Sequence, residues 1–203
     1  VGCIPGILNL WFDKRVEYKN EMKKYGKAGN KQKYAFFHKR QLVQKILLNS
    51  LYGVLGLPAF RFYDVDNATA VTTTGQTVIK STADMANIKY NKELNTPDLD
   101  SNIYIDTDSV FFSAVPLMDK RFPNWKNEEQ DTIAGYVNDI AEEMQDYLND
   151  FYDILSKKIF NVDVDKHRLE IKKEYVAKAG LWVANKRYAQ WIISDNGVPC
   201  DKL

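Results

Sequence analysis

The sequence predicts an α+β fold, in which a hairpin of two long helices is followed by mixed helices and antiparallel strands. Apolar residues recur at helical spacing on both sides of a break at Gly26 and Gly29. The segment Gly53–Pro58 holds three glycine or proline residues, and there the pattern changes from helical to strand-like. Helices first, followed by helices mixed with antiparallel strands, is the order typical of an α+β layout.

The first half of the chain is predicted to be mostly helical. One helix covers about 5–25 and a second covers about 31–54. The β-rich run 59–65 is predicted as a strand, and a third helix, capped by Asn67, continues to about Leu94. We therefore expect residues 1–57 to form a helical-hairpin domain and residues 58–203 to form a second domain.

The second half is predicted to mix strands with one long helix. In order, its elements are a loop over 95–102, a β-hairpin over 103–112, a loop over 116–125, an acidic helix over 128–155, and strands over 168–177 and 181–193 joined at Gly180. The hairpin is indicated by two β-rich runs that flank the tripeptide Asp106-Thr107-Asp108.

Composition excludes several classes of protein. Cys3 and Cys200 show no CxxC spacing, which argues against a zinc site or a disulfide framework and favours a reducing compartment. No apolar run approaches a membrane span, and the first residues do not resemble a signal peptide. Because no initiator Met is present, the chain is expected to be cut from a longer one.

Charge is distributed unevenly, although the formal net charge is only +1. Residues 1–45 carry eleven Lys or Arg and three acidic residues, a local net of +8. Residues 95–165 carry sixteen acidic and five basic residues, a local net of −11. This asymmetry suits a protein that handles polyanions at one end and cations at the other, or simply two solvated faces of opposite sign.

The tripeptide Asp106-Thr107-Asp108 is the first candidate site. Side chains alternate across a strand, so both carboxylates can project to one side while Thr107 projects to the other. Two carboxylates on one rigid edge require a cation, and Mg²⁺ is typically shared between such carboxylates and substrate phosphates. Taken alone, the pattern also fits an ordinary turn or the metal site of a sugar-nucleotide glycosyltransferase.

The run Lys45–Gly53 is the second candidate site. At about 100° per residue, Lys45, Asn49 and Tyr52 fall within roughly 60° of one another on the predicted helix. Apolar side chains occupy the opposite face: Val43, Leu47, Leu51 and Val54. A cation, an amide and a phenol on one face, together with the paired carboxylates, indicate metal-assisted phosphoryl chemistry on a nucleotide. The alternative is the exposed face of an ordinary amphipathic helix.

Two further basic groups are candidates. Arg15 and Lys19 lie four residues apart and so share a helix face. The tetrapeptide Asn185–Tyr188 brings two basic residues between Trp182 and Trp191 in a predicted strand, which fits a contact with a nucleic-acid backbone. Solvated surface residues and a polar strand edge are the alternatives.

These motifs resemble those of the family B DNA polymerases, most closely the polymerases of tailed phages, along essentially the whole chain. The fingers motif KxxxNSxYG is matched by Lys45 to Gly53, and the palm motif DTDS is matched by Asp106 to Ser109. The primer–template motif KKRY appears as Asn185–Tyr188, with its first Lys replaced by Asn. The segment 67–76 also resembles the palm helix that follows the fingers.

The resemblance implies a role for each matched residue. The residues that would grip the triphosphate of an incoming deoxynucleotide are Arg15, Lys19, Lys45 and Asn49. Tyr52 and Gly53 would form the floor under the nascent base pair. Asp108 would be a metal ligand shared by two ions, and Asp106 would lie beside it. Both aspartates would be catalytic, and Glu174 would lie near the metals. Lys186, Arg187 and Tyr188 would contact the primer–template duplex.

The resemblance further implies a complete enzyme with two Mg²⁺ ions, primer–template DNA and deoxynucleoside triphosphates as partners, and no membrane. Its location would be the cytoplasm of a phage-infected bacterial cell. The family's first palm motif, an Asp followed by SLYPS, does not occur in the 203 residues, and neither does an exonuclease or thumb segment. We therefore expect a fingers-plus-palm fragment that is inactive alone. The alternatives are a non-catalytic DNA-binding module of a split polymerase and, more remotely, a sugar-nucleotide glycosyltransferase.

Overall fold

A computed structural model of the chain describes residues 2–195 and 198–203. It confirms the α+β class, with long helices and two small antiparallel sheets. The helices are α1 (Cys3–Lys27), α2 (Lys31–Leu55), α3 (Val65–Leu94), α4 (Val115–Arg121) and α5 (Gln130–Lys158). The strands are β1 (Asn102–Asp106), β2 (Ser109–Phe112), β3 (Tyr175–Ala184), β4 (Arg187–Asp195) and β5 (Val198–Lys202). None of the helices in the described part of the chain is long and apolar enough to cross a membrane.

The chain divides into two compact units, Val1–Thr74 and Gly75–Leu203. In the first unit, α1 and α2 pack as the predicted helical hairpin, and the ring of Tyr25 stacks on that of Phe37 with centroids 5.6 Å apart. Gly29 takes a left-handed φ of +68°, and the side chain of Asn30 then accepts a hydrogen bond from the backbone N–H of Lys33. This left-handed glycine and the N-cap that follows it are local signals, and they explain why the break was predictable.

Two predictions about the segment after α2 were wrong. Residues 59–65 form consecutive turns rather than a strand, because backbone hydrogen bonds run from Phe60 to Leu57 and from Tyr63 to Phe60. These groups are therefore satisfied locally and need no partner strand. The cap of α3 is Asp64, whose carboxylate accepts the backbone N–H of Asn67 at 2.9 Å. Asn67 lies inside the helix and donates its side-chain amide to the same carboxylate.

The core of the second unit lies between three helices. The buried residues of its larger cluster come from α3, α4 and α5: Ala86, Tyr90, Leu117, Met118, Ile140, Met144 and Leu148. Helix α4 lies where a loop was predicted over 116–125. Pro116 occupies the first turn of α4, where a missing N–H costs nothing. The helix is retained because Leu117 and Met118 complete this core.

The C-terminal sheet has the order β3-β4-β5 and also differs from the prediction. Residues 168–174 are not a strand. Their backbone instead bonds to side-chain amides of α5: Ile171 both donates to and accepts from Asn149, and Lys173 donates to Gln145. The β3–β4 turn is formed by Asn185 and Lys186 rather than by Gly180, which pairs with Gln190 within the sheet.

Gly180 is required for a different reason than a turn. A Cβ at this position would lie 2.3 Å from the ring of Trp182, so the indole occupies the space of a side chain. We expect Gly180→Ala to lower the free energy of unfolding by about 1–3 kcal/mol through overpacking. Gly135 in α5 is the matched control, since its Cβ would meet nothing within 4 Å. Gly135→Ala should raise stability by about 0.5–1 kcal/mol. Urea denaturation measures both, and equal effects would contradict the packing argument.

Candidate active site

The paired carboxylates lie at the tip of the β1–β2 hairpin, which is present as predicted. Asp106 is the last residue of β1 and pairs with Ser109 of β2. Between them the backbone N–H of Asp108 donates to the carbonyl of Asp106 at 2.6 Å, and Thr107 has a φ of +54°. Left-handed backbone is unfavourable for a β-branched residue, and a three-residue turn with such a centre is strained. The tip is therefore held in an unusual conformation by the two paired strands.

The two carboxylates have different surroundings. Asp106 is half-buried, and its Oδ1 accepts the hydroxyl of Thr107 at 2.9 Å. The hydroxyl of Ser109 donates to the carbonyl of Asp106, which further secures the turn. Asp108 is exposed. Both carboxylates were predicted to project to one side because side chains alternate along a strand. Asp108 lies in the turn, so this alternation does not apply to it.

A cleft of about 480 Å³ brings three of the predicted residues together. Asp108, Glu174 and Tyr188 all line it. Lys173 also lines the cleft, and its side chain, only 13% exposed, is paired with Glu142 at 3.1 Å. This pair was not predicted, because residues 168–174 were expected to form a strand. Carboxylates, a phenol and an ammonium group in one cleft can bind a cation and an anionic substrate together.

The carboxylates of Asp106 and Asp108 are of the kind that bind a divalent metal ion. Carboxylate oxygens are the ligands that Mg²⁺ prefers, and the ion usually retains several waters. Among the described residues, however, no group of three or more His, Cys, Asp or Glu could hold a metal. Asp106 and Asp108 would therefore supply two carboxylates, and the remaining positions would be filled by water and substrate phosphates.

We expect the 203-residue chain to bind Mg²⁺ weakly, because two carboxylates do not form a complete cage. Isothermal titration with Mg²⁺ should show no saturation at micromolar ion, and Asp108→Asn should remove the residual heat. Glu170→Gln is a suitable control, since this carboxylate lines the same cleft and is paired with Lys172. A tight stoichiometric Mg²⁺ site in the isolated chain would contradict the prediction.

In the helical hairpin, α2 exposes Lys45, Asn49, Tyr52 and Gly53 on its outer side. The apolar positions Leu47, Leu51 and Val54 are half-buried. Val43 was predicted to belong to that buried face, but it is 53% exposed. Two helices alone cannot enclose a core, and accordingly no described residue of α1 or α2 is fully buried.

Arg15 and Lys19 lie on α1, and the register of the hairpin relates Arg15 to Lys45. Tyr18 lies opposite Arg40, whose guanidinium is 5.9 Å from the ring centroid, and Tyr25 lies opposite Lys33. When this pairing is continued along the two antiparallel helices, Arg15 lies opposite Val43, two residues before Lys45. That offset is about 3 Å along the axis. Within the described part of the chain, the buried Nε of Arg15 has no hydrogen-bond acceptor.

The third predicted group lies at the β3–β4 turn. Lys186 is the second turn residue, with a φ of +60°, and Arg187 begins β4 opposite Ala184. The tetrapeptide had been predicted to lie inside a strand, but Asn185 and Lys186 form the turn, and only Arg187 and Tyr188 belong to a strand, as the first residues of β4. Asn185, Lys186, Arg187 and Tyr188 are all exposed. A projecting basic tip can reach a polyanion more readily than a strand interior.

One contact at this tip was not anticipated. The backbone N–H of Lys186 donates to the hydroxyl of Tyr104 in β1 at 2.9 Å. The rings of Tyr104 and Tyr188 are also close, with centroids 5.6 Å apart. Lys186 and Tyr104 are 82 positions apart in sequence, and no local pattern could have indicated that they pair.

Comparison with known proteins identifies the family. The sequence profile described as DNA polymerase family B matches residues 1–197. The chain belongs to DNA polymerase family B. The resemblance inferred from the motifs is thereby confirmed, and family membership excludes the glycosyltransferase alternative. Polymerases of this family generally use a divalent metal.

Phage and cellular polymerases are both among the relatives. The DNA-directed DNA polymerase of Enterobacteria phage T4 is 34% identical over 162 residues, which cover 73% of this chain and 17% of the relative. That of Escherichia phage RB69 is 30% identical, with the same two coverages. The DNA polymerase alpha catalytic subunit of Arabidopsis thaliana is 32% identical over 200 residues, 98% of this chain and 11% of the relative. The chain thus spans less than a fifth of the length of these relatives.

Proposed function

We propose that this chain forms the fingers and part of the palm of a DNA-directed DNA polymerase, which adds deoxynucleotides to a primer. Residues 1–57 would be the fingers hairpin, and residues 58–203 would be the C-terminal part of the palm. The observation that carries the proposal is the cleft beside the Asp106–Asp108 turn, which brings Asp108, Glu174 and Tyr188 together in a chain of this family. The phage T4 and RB69 relatives support a phage-infected bacterial cell as its location.

The fingers residues would bind and orient the nucleotide. Arg15, Lys19 and Lys45 carry positive charge toward the triphosphate, and the amide of Asn49 adds a hydrogen bond. Such charge-assisted contacts are stronger than neutral ones. Tyr52 and Gly53 would lie under the nascent base pair, where the absence of a side chain at Gly53 leaves room for the bases.

The palm residues would hold the ions and the duplex. Asp106 and Asp108 would each offer carboxylate oxygens to Mg²⁺. When bound, two such ions stabilise the attacking and leaving oxygens of the displacement. Lys186 and Arg187 would bind backbone phosphates, and Tyr188 would lie between them and the carboxylate turn. Phosphate contacts of this kind position the duplex without reading its sequence.

The 203-residue chain alone is expected to show no primer extension, because a two-metal site needs more carboxylates than Asp106 and Asp108 supply. The test compares three preparations on a labelled primer–template with Mg²⁺ and all four deoxynucleotides. They are the chain alone, a polymerase in which this segment is joined to a family palm segment containing SLYPS, and the same polymerase with Asp108→Asn. The proposal is supported if the second preparation extends the primer and the other two do not. Robust incorporation by the chain alone would contradict it.

A non-catalytic DNA-binding module is the second candidate. The observation that favours it is the lack of a third metal-ligating carboxylate among the described residues. The same assay separates the two functions. If the joined polymerase binds the duplex but does not extend the primer, the module is the better description.

A further inference from the structure

Two short hairpins of the second unit meet through a cluster of aromatic rings. The cluster consists of Tyr104, Phe111, Tyr175, Trp182 and Tyr188. Tyr104 and Phe111 belong to the hairpin with Asp106 and Asp108 at its tip, and Trp182 and Tyr188 flank the turn with Lys186. The ring of Phe111 is central, with centroids 5.7 Å from Tyr188 and 6.2 Å from Trp182. The metal-ligand candidates and the DNA-contact candidates are therefore attached to one aromatic cluster.

The backbone at Lys186 is strained in a way that requires support. A non-glycine residue in the left-handed region, here with a φ of +60°, costs of order 1 kcal/mol or more. Glycine would remove that cost, but it would also remove the ammonium group. The backbone N–H of Lys186 is bonded to the hydroxyl of Tyr104, which comes from the other hairpin. This bond restrains the turn from outside its own sheet.

We propose that Tyr104 is a positioning residue, whose hydroxyl holds the Lys186 turn in register with the Asp106–Asp108 turn. The bond sets the direction in which Lys186 and Arg187 leave the sheet, and so fixes where duplex phosphates lie relative to the carboxylates. In this role Tyr104 acts through Lys186 and needs no contact of its own with DNA or nucleotide. The inference rests on the proposed function, because it assigns Tyr104 a part in DNA binding through Lys186.

The variant Tyr104→Phe isolates the hydroxyl, since the ring remains in the cluster. Tyr147→Phe is the matched control, because it removes a phenol hydroxyl in the same unit, on α5, where the ring lies 4.9 Å from the ammonium group of Lys89. The first measurement is amide hydrogen exchange at Lys186 in the 203-residue chain. Protection of this amide should be lost in Tyr104→Phe and retained in Tyr147→Phe, with the strand amides of β3 and β4 unchanged.

The second measurement is binding of a fluorescent primer–template duplex by the same proteins as a function of salt. Loss of one hydrogen bond should weaken the affinity of Tyr104→Phe about three- to tenfold. If a phosphate contact by Lys186 is lost with it, the slope of log K against log salt should fall by about 0.9. A purely structural role would lower the melting temperature but leave that slope unchanged.

A double-variant cycle decides whether Tyr104 acts through Lys186. In a Lys186→Ala background, Tyr104→Phe should weaken binding no further, because the positioned side chain is already absent. The inference would be overturned if the fold-changes in duplex affinity of Tyr104→Phe and Lys186→Ala multiplied in the double variant, or if Tyr104→Phe alone left the affinity unchanged. Either result would leave the proposed function intact. If the unaltered chain binds no duplex, the proposed DNA contact fails, and the positioning role fails with it.

Discussion

Lys45→Ala is expected to reduce the efficiency of nucleotide incorporation roughly ten- to a hundredfold or more in a polymerase containing this segment. The residue is exposed on α2, and the half-buried apolar residues lie on the other face, so its loss should not open a cavity. Its charge is instead available to the triphosphate, whose negative charge is greatest as pyrophosphate leaves. A lost charge-assisted contact is worth about 1.5–3 kcal/mol, and each 1.36 kcal/mol is about tenfold in rate.

Lys186→Ala should have the opposite profile. Because Lys186 lies at the exposed β3–β4 turn, its removal should weaken duplex binding and reduce the salt dependence, with a smaller effect on the use of nucleotide. Steady-state incorporation kinetics and DNA titrations on both variants make the comparison. Lys39→Ala is the control for α2, because it removes the same charge about 120° around the helix.

The pair of variants also tests the assignment of the two sites. If Lys45→Ala mainly weakens DNA binding while Lys186→Ala mainly impairs incorporation, the two sites have been assigned the wrong way round. Lys39→Ala should match the unaltered protein in both assays. A general effect of positive charge on the hairpin would instead make Lys39→Ala and Lys45→Ala equivalent.

The largest expected effect on stability comes from Arg121→Met. The guanidinium of Arg121 is 23% exposed and bonds to both oxygens of Glu93, at 2.6 and 2.8 Å, and to both oxygens of Glu143, at 3.0 and 2.8 Å. It therefore joins α3, α4 and α5 around the core. Its removal leaves two carboxylates facing each other without a cation.

Removing one partner of a fully buried ion pair costs about 3–5 kcal/mol. Because Glu143 is half exposed, with 51% of its side chain accessible, solvent screening reduces that figure. We expect Arg121→Met to lower the free energy of unfolding by about 2–3 kcal/mol. The control is Lys172→Ala, which breaks a solvent-exposed pair with Glu170 and should change stability by less than about 0.5 kcal/mol. Similar losses in the two variants would contradict the network.

The same network predicts a dependence on pH. Hydrogen bonds from Arg121 lower the pKa of Glu93 and also that of Glu143. A carboxyl whose folded pKa is lowered stabilises the fold above its unfolded pKa, and this contribution is lost as the pH falls through the folded value. The stability difference between the unaltered protein and Arg121→Met should thus be greatest at neutral pH. It should shrink below about pH 4.3, as urea denaturation across pH would show.

The sequence was sufficient for features that depend on near neighbours. The break between α1 and α2 follows from Gly29 and the Asn30 cap, and the carboxylate hairpin follows from two β-rich runs around Asp106-Thr107-Asp108. The family also follows from the sequence, since its motifs are runs of adjacent residues and the profile match extends over residues 1–197. Local hydrogen bonds and helical or strand periodicity suffice for such features, because every partner lies within a few positions.

Tertiary structure alone decided the features whose partners are distant in sequence. Residues 168–174 resemble a strand, but their backbone groups bond to the side chains of Asn149 and Gln145 instead. The Asp108–Glu174–Tyr188 cleft and the bond from Lys186 to Tyr104 join segments tens of residues apart. The sequence pattern specifies which polar groups need hydrogen-bond partners. The packing of helices and strands selects those partners, because only the folded chain brings distant donors and acceptors within bonding distance.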